Sequence, residues 1–505
     1  MSSKAALEEA SFGNGRVSTG IAGLDHVLGG GLPRHRLYVI EGDPGAGKTT
    51  LALQFLLKGI ARGERGLYVT LSETAEELQE VAKSHGWSLD GLDLLELGSL
   101  AEVLQEEAEY TVYHPSDVEL GETTKRVRAE VERLQPTRVA LDSVSELKIL
   151  SQTSHRYRRE VLGLKQFFTG KQCTVVVLDD HTTQDEEKQL QSICHGVIRM
   201  NRESREYGDT RRQLQVVKMR GVRFRDGMHD FLIKSGGIEV YPRIGVLQQA
   251  RESTDTIKSD LPGIDDLLGG GLDRGTSTLI LGPAGCGKTT LCSQYLLASL
   301  NRGEAVVNIL FEESTEGFLQ RATGMGMDFH AHIASGRLEL HQFDPAELSP
   351  GEFAHYVQQA VENRNARIVV IDSLNGYLNA MPSERFLLVQ LHELLMYLGK
   401  MGVLTILVMA QHGMMGTAMQ TPVDVSFLAD TVILLRYFEA MGEVRQAISV
   451  VKKRRSGHER TIRELRLTGN GIVIGDPLRD FQGVLTGVPQ YRGGADPLIK
   501  KNDAT

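Results

Sequence analysis

Two octapeptides carry the clearest chemistry in this chain. Gly42-Asp43-Pro44-Gly45-Ala46-Gly47-Lys48-Thr49 and Gly282-Pro283-Ala284-Gly285-Cys286-Gly287-Lys288-Thr289 both read G-x-x-x-x-G-K-T, and Thr50 or Thr290 follows. Glycines at that spacing let successive backbone N–H groups turn inward around phosphate oxygens. Lys48 and Lys288 would bring a charge to the β- and γ-phosphates, and Thr49 and Thr289 would offer a hydroxyl to Mg2+. The helix that follows would aim its positive end at the anion. Gly45, Ala46, Gly47, Lys48, Thr49 and Thr50, with Gly285, Cys286, Gly287, Lys288, Thr289 and Thr290, are therefore the candidate ATP-binding residues. A glycine loop that binds nothing is the bland alternative. Both copies follow an apolar run and open a helical one, which is the context phosphate binding requires.

Further acids and bases fall where phosphoryl chemistry needs them. Asp142 ends RVALD and Asp372 ends RIVVID. A carboxylate at the end of a buried strand, downstream of a phosphate loop, suits a Mg2+ role; a plain helix cap is the alternative. Glu73 lies in LSET, and Glu312 and Glu313 lie in FEES. A carboxylate there could take a proton from water or from a hydroxyl, or could simply start a helix where the dipole favours it. Lys218-Met219-Arg220 follows QLQVV, and Lys452-Lys453-Arg454 follows AISVV. Strand alternation sends the outer two basic residues to one side. They could reach a neighbouring subunit's nucleotide, or be solvated strand ends.

These residues recur at matched places because the chain is a duplication. Lys48 and Lys288 stand 240 positions apart, as do Asp25 and Asp265, and Glu73 and Glu313. The offset drifts to 230 for Asp142 and Asp372 and to 234 for Lys218 and Lys452, as unequal loops would cause. Each half is large enough for its own core. Residues 1–15 read as an extension, 16–247 as the first domain, 248–485 as the second, and 486–505 as a mobile tail. Apolar runs such as LYVIEG, GLYVTL, RVALDS and TVVVLDD alternate with helical patterns such as AEELQEVAKSHG. The second half repeats this with TLILG, VNILF, RIVVID and LTILVMA. Continuous apolar strands separated by helices predict an α/β fold with a mainly parallel sheet covered on both faces.

Composition narrows the function further. The 505 residues hold 56 Lys+Arg against 65 Asp+Glu, a formal charge of −9, which leaves no global basic footprint for nucleic acid. No apolar run approaches the ~18 residues a membrane helix needs. The four cysteines form no C-x-x-C pair, and the first residues lack an apolar signal core. A cytoplasmic protein with reduced thiols is expected.

Taken together, GIAGLDHVLGGGL, GDPGAGKTT, LSET, ALDS and VVKMRG in the first half resemble the KaiC family of circadian-clock ATPases and autokinases. LPGIDDLLGGGL, GPAGCGKTT, FEES, VIDS, DTVILLRYFEAMGE and KKRRSGH match it in the second. The likeness spans about residues 16 to 485. It implies two tandem RecA-like P-loop NTPase domains in a homohexamer of two stacked rings, with ATP and Mg2+ at subunit interfaces. Lys218, Arg220, Lys452, Arg454, Ser456 and His458 would then face the neighbour's ATP. The first ring would be chiefly an ATPase, and the second would transfer phosphate to Ser or Thr and reverse the transfer. Glu312 would be the kinase base.

Several departures qualify the likeness. Ser72-Glu73 stands where the family has adjacent glutamates. The phosphorylated Ser-Thr pair becomes Ser426-Phe427, with Thr421 a further family position near the phosphate. Lys453 and Arg455 add local charge. A KaiB-like regulator remains a candidate partner, but the short tail does not match the segment that binds KaiA. Two other functions fit parts of the pattern: a DNA-directed RecA-type ATPase, and a nucleotide-gated hexameric scaffold with negligible phosphoryl transfer.

Overall fold

Alternate residues of each central strand belong to different cores, and this parity explains the layering. In the strand Leu37–Gly42, Tyr38 and Ile40 join a cluster with Tyr68, Ala140, Val176 and Leu178. Leu37 and Val39 point the other way, to Leu67, Val69, Leu141, Val175 and Val177. The second half repeats the division: Ile280, Val306, Val370 and Val408 fall on one face, and Leu279, Val307, Val369 and Leu407 on the other. A strand buried on both faces reads as a near-continuous apolar run, as LYVIEG and TLILG do apart from Thr278 and Glu41, whose buried carboxylate pairs with Arg199 at 2.7 Å.

The computed structural model describes residues 15–97, 115–151, 153–180, 187–204, 208–245, 255–344, 346–380, 387–411, 425–485 and 490–491. The chain divides into two units, 1–243 and 244–505. Among the described residues each unit holds one nine-stranded sheet with the same strand order. In the first unit it runs Leu92–Glu96, Gly66–Thr70, Arg138–Asp142, Thr174–Asp180, Leu37–Gly42, Gly196–Glu203, Arg211–Met219, His229–Lys234 and Gly237–Tyr241. The first six are parallel and the last three antiparallel. In the second it runs Leu338–Gln342, Ala305–Leu310, Ala366–Asp372, Leu404–Ala410, Ser277–Gly282, Thr431–Ala440, Glu443–Lys453, Ile462–Thr468 and Gly471–Pro477. The strand feeding the phosphate loop is thus central in both. Helices Lys48–Ile60 and Lys288–Asn301 bury Leu51, Phe55 and Leu56, and Leu291, Tyr295 and Leu296, in the cores of their own units.

The G-(L/I)-D-x-(V/L)-L-G-G-G-L segment ahead of each loop has a structural cause. Asp25 is 7% exposed and accepts from the Thr19 N–H and hydroxyl, both at 2.8 Å, and from Ser18. Asp265 does the same for Ser259, at 2.8 and 3.0 Å. The chain then doubles back through glycines. Gly31 has φ 93° and Gly271 φ 120°, and a Cβ there would lie 2.4 Å from the Val17 carbonyl or 2.6 Å from that of Ile257. Replacing Asp25→Ala removes three acceptor bonds from a buried position. It should lower the first unit's stability by about 2–3 kcal/mol, read as a fall in its thermal midpoint. An unchanged midpoint would mean that water replaces the carboxylate.

The local charge that Lys453 and Arg455 add is directed at the protein's own backbone. The Lys453 side chain is 1% exposed and sits near Asp273 at 3.8 Å, and its Nζ donates to the carbonyls of Leu268 and Gly271 at 2.6 and 2.8 Å. Arg455 donates to the Gly275 carbonyl at 3.1 Å. Their charge serves backbone acceptors of the glycine turn and the segment after it. The expected tail contains an ordered piece, because Gln490–Tyr491 pairs antiparallel with Phe481–Gln482 and Tyr491 rests 5.1 Å from the Phe481 ring. The extension 1–15 falls, apart from Gly15, outside the described residues. All four cysteines are buried and unbridged, and no described helix is long and apolar enough to cross a membrane.

Candidate nucleotide sites

Each phosphate loop joins a buried strand to a buried helix through a left-handed residue. Gly47 caps Lys48–Ile60 at φ 102° and Gly287 caps Lys288–Asn301 at φ 99°. A Cβ at Gly47 would stand 2.7 Å from Ile233 Cδ1, so both backbone and packing demand glycine. Behind the loop Lys48 is 8% exposed. Its Nζ donates to the carbonyls of Gly42 and Asp43 at 2.7 and 3.0 Å, and it pairs with Asp180 at 2.7 Å. Lys288 donates to the Pro283 carbonyl at 2.7 Å.

The strand-end acids lie beside the loop threonines. The Thr49 hydroxyl donates to Asp142 Oδ2 at 3.2 Å, and the Tyr68 hydroxyl donates to the same oxygen. Burial raises the Asp142 carboxyl above the usual range. Burial pushes Asp372 up to about 6, opposed by a hydrogen bond from Thr289 and by the charges of Arg321 and Lys288. A buried carboxylate next to a threonine hydroxyl, at the foot of a phosphate loop, fits a divalent cation that takes its other oxygens from substrate and water.

The second pair of acids separates the two sites. Glu73 is half-buried. Its N–H donates to the Thr70 hydroxyl at 2.9 Å, and that hydroxyl donates to the Glu73 carbonyl at 2.7 Å. Its Oε2 is buried without a hydrogen-bond partner. Burial first, then the charges of Asp142, Glu77 and Asp180, push its carboxyl up to about 7. Glu313, at the matching place, is held bidentately by Arg321 at 3.1 and 2.7 Å. Val81 stands at the same offset in the first unit, and among the described residues no guanidinium bonds Glu73 Oε2. Both Glu313 oxygens are thus engaged, which leaves Glu312 the more available carboxylate. Glu312 is exposed and accepts from the Ser373 hydroxyl at 2.7 Å.

The K-x-R residues dock alike in both units, on the carbonyls of the segment before one strand. Lys218 donates to the Gln191 carbonyl and Arg220 to that of Ser192 at 2.7 Å. Lys452 donates to the carbonyls of Ser426 and Ala429 at 2.9 and 2.8 Å. Arg454 donates to the Phe427 carbonyl at 3.2 Å and pairs with Asp430 at 3.5 Å. Ser426 therefore lies in a turn gripped by its own chain's K-x-R segment, just ahead of Thr431–Ala440. Ser456 donates to Asp273 at 3.2 Å, and His458 is half-buried. Thr421 lies outside the described residues.

Sequence reasoning missed three neighbours of the loops. One is Asp180 on Lys48. Another is Arg202, whose Nη1 would stand 2.8 Å from a Cβ on Gly45 and which faces Arg212 across the sheet. The third is Tyr437, which donates to the Ala284 carbonyl at 3.2 Å. Only the sheet register, not spacing along the chain, brings them there.

Comparison with known proteins agrees with this duplication. A family model described as "ATPase: KaiC" matches residues 17–244 and again 257–479. The chain is 26% identical to circadian clock protein KaiC3 of Synechocystis sp. over 491 residues, 96% of each chain. It is 28% identical to the circadian clock oscillator protein KaiC of Thermostichus vulcanus over 490 residues, covering 95% of this chain and 93% of that one. Synechocystis KaiC2 is 28% identical over 482 residues, 94% of this chain and 83% of the relative. Two matched phosphate loops on two matched sheets, with the family model covering both, make this chain a member of the KaiC family of ATPases, built from tandem RecA-like P-loop domains.

Proposed function

We propose that the chain is an ATP-hydrolysing, self-phosphorylating protein that works as a homohexamer in timing or signalling. Its first domain is chiefly an ATPase and its second an autokinase. The observation that carries this reading is the asymmetry between the two sites. Glu73 offers an unpartnered, weakly acidic carboxyl beside Asp142. In the second site Glu313 is tied to Arg321 and Glu312 stands available.

In each site the loop N–H groups and the lysine bind the phosphates, and the lysine gives up its carbonyl partners to do so. Thr49 with Asp142, and Thr289 with Asp372, would hold Mg2+, which supplies neutralisation of charge on the phosphate oxygens. Glu73 takes the proton of an attacking water, so hydrolysis follows. Glu312 takes the proton of a serine hydroxyl, so transfer follows. Lys218, Arg220, Lys452 and Arg454 turn from their own carbonyls toward the nucleotide of the next subunit, which makes each site depend on ring assembly. Ser456 and His458 flank the second of these contacts. Ser426, carried in the turn that Lys452 and Arg454 grip, is the main acceptor, with Thr421 minor. A KaiB-like protein is the candidate regulator. The scaffold alternative draws on one feature, Phe427 in place of a second acceptor.

Ring assembly tests the interfacial part of the proposal. Hexamers seen by light scattering should require Mg-ATP, and Lys48→Ala should weaken them more than Lys288→Ala. Equal hexamers in nucleotide-free buffer would contradict it.

A further inference from the structure

Besides the Glu73–Glu313 contrast, the two phosphate sites differ by a carboxylate that faces the loop lysine of the first. Thr174–Asp180 runs beside Leu37–Gly42 with Asp180 opposite Gly42. In the second unit the same register places Ala410 opposite Gly282. Asp180 Oδ1 lies 2.7 Å from Lys48 Nζ, with Lys48 8% and Asp180 35% exposed at the side chain. An ammonium has three N–H donors, and in the first site the carbonyls of Gly42 and Asp43 and the Asp180 carboxylate match that number. Among the described residues no carboxylate pairs with Lys288 as Asp180 does with Lys48, and Ala410 holds the corresponding place. Asp180 is also close enough for its charge to act on Glu73 and Asp142.

We propose that Asp180 occupies the electrostatic place of a γ-phosphate on Lys48, and so sets the first site's preference between nucleoside triphosphate and diphosphate. A triphosphate brings its own terminal anion to the lysine. Asp180 must then give up its ion pair and face a charge of the same sign. A diphosphate leaves that place open, so Lys48 can hold the β-phosphate and Asp180 together. The carboxylate thus works against ATP and spares ADP, and the second site, with Ala410, carries no such bias. This rests on the reading that the first phosphate loop binds ATP. Asp180 is a positioning and specificity residue acting through Lys48, which a ratio of affinities can separate from a structural role.

The test uses the full-length chain with Lys288→Ala, so that only the first loop reports. Calorimetry with Mg2+ gives the affinities of ADP and of the non-hydrolysable β,γ-imido analogue of ATP. Asp180→Asn should tighten the analogue on the order of tenfold, the size expected for release from one partly exposed charged contact. ADP should change by less than about threefold on the same grounds. Asp180→Glu should keep the parent's preference. Affinities that rise or fall together, or an analogue affinity unmoved by Asp180→Asn, would overturn the proposal. A parent that binds neither nucleotide would instead overturn the underlying nucleotide-site reading, and this inference with it.

Discussion

Glu73→Gln should lower ATP hydrolysis by the first domain by roughly 10²–10⁴-fold, the range for loss of a general base, while ATP binding persists. The amide keeps the size of the side chain but cannot accept the proton. A Lys288→Ala background silences the second loop, so the remaining turnover reports the first. The pH profile gives an independent check. Burial and the neighbouring acids hold the Glu73 carboxyl up at about 7 instead of the ordinary 4.5. The base works only when ionised, so kcat/KM should be full above that pH and fall as pH drops through about 7. An ordinary carboxylate would keep activity down to between 4 and 5. In Glu73→Gln this acid limb should vanish from whatever turnover remains. Near-normal turnover in the glutamine variant would remove Glu73 from the mechanism.

Ser426→Ala and Glu312→Gln should each abolish the main phosphate label on the second domain without dissolving the hexamer. The first removes the acceptor oxygen, and the second removes the carboxylate that takes its proton. Arg321→Ala sharpens the assignment, because it releases Glu313 from its bidentate pair. If Glu313 is only structural, the double variant Arg321→Ala/Glu312→Gln should stay unlabelled. Full label in Ser426→Ala would place the acceptor elsewhere, with Thr421 the first position to map.

The parts of this protein set by local pattern were legible in the sequence. The parts set by sheet register were not. LYVIEG, TVVVLDD and RIVVID read as doubly buried strands because unbroken apolar runs such as LYVI, VVVL and IVVI have no other use in an α/β unit. The duplication showed from the shared 240-residue offset of Asp25, Lys48 and Glu73 with Asp265, Lys288 and Glu313. Asp180, Arg202 and Tyr437 went unseen because their relevance depends on which strands adjoin the loop, and chain spacing does not encode that. The difference between Glu73 and Glu313 was present as Val81 against Arg321 at one offset, but it means something only once the helix places Arg321 over the acid. The burial of Lys453 was unreadable for a related reason: only the fold brings two carbonyls of the glycine turn to its ammonium.

The most direct measurement is the intact mass of the full-length protein after incubation with Mg-ATP, followed by peptide mapping of any added phosphate. The expected result is one main phosphate per subunit, mapped to Ser426 and lost in Glu312→Gln, in a preparation that also releases inorganic phosphate through Glu73. A protein that hydrolyses ATP and forms hexamers but never gains mass would contradict the autokinase assignment and leave a nucleotide-gated scaffold.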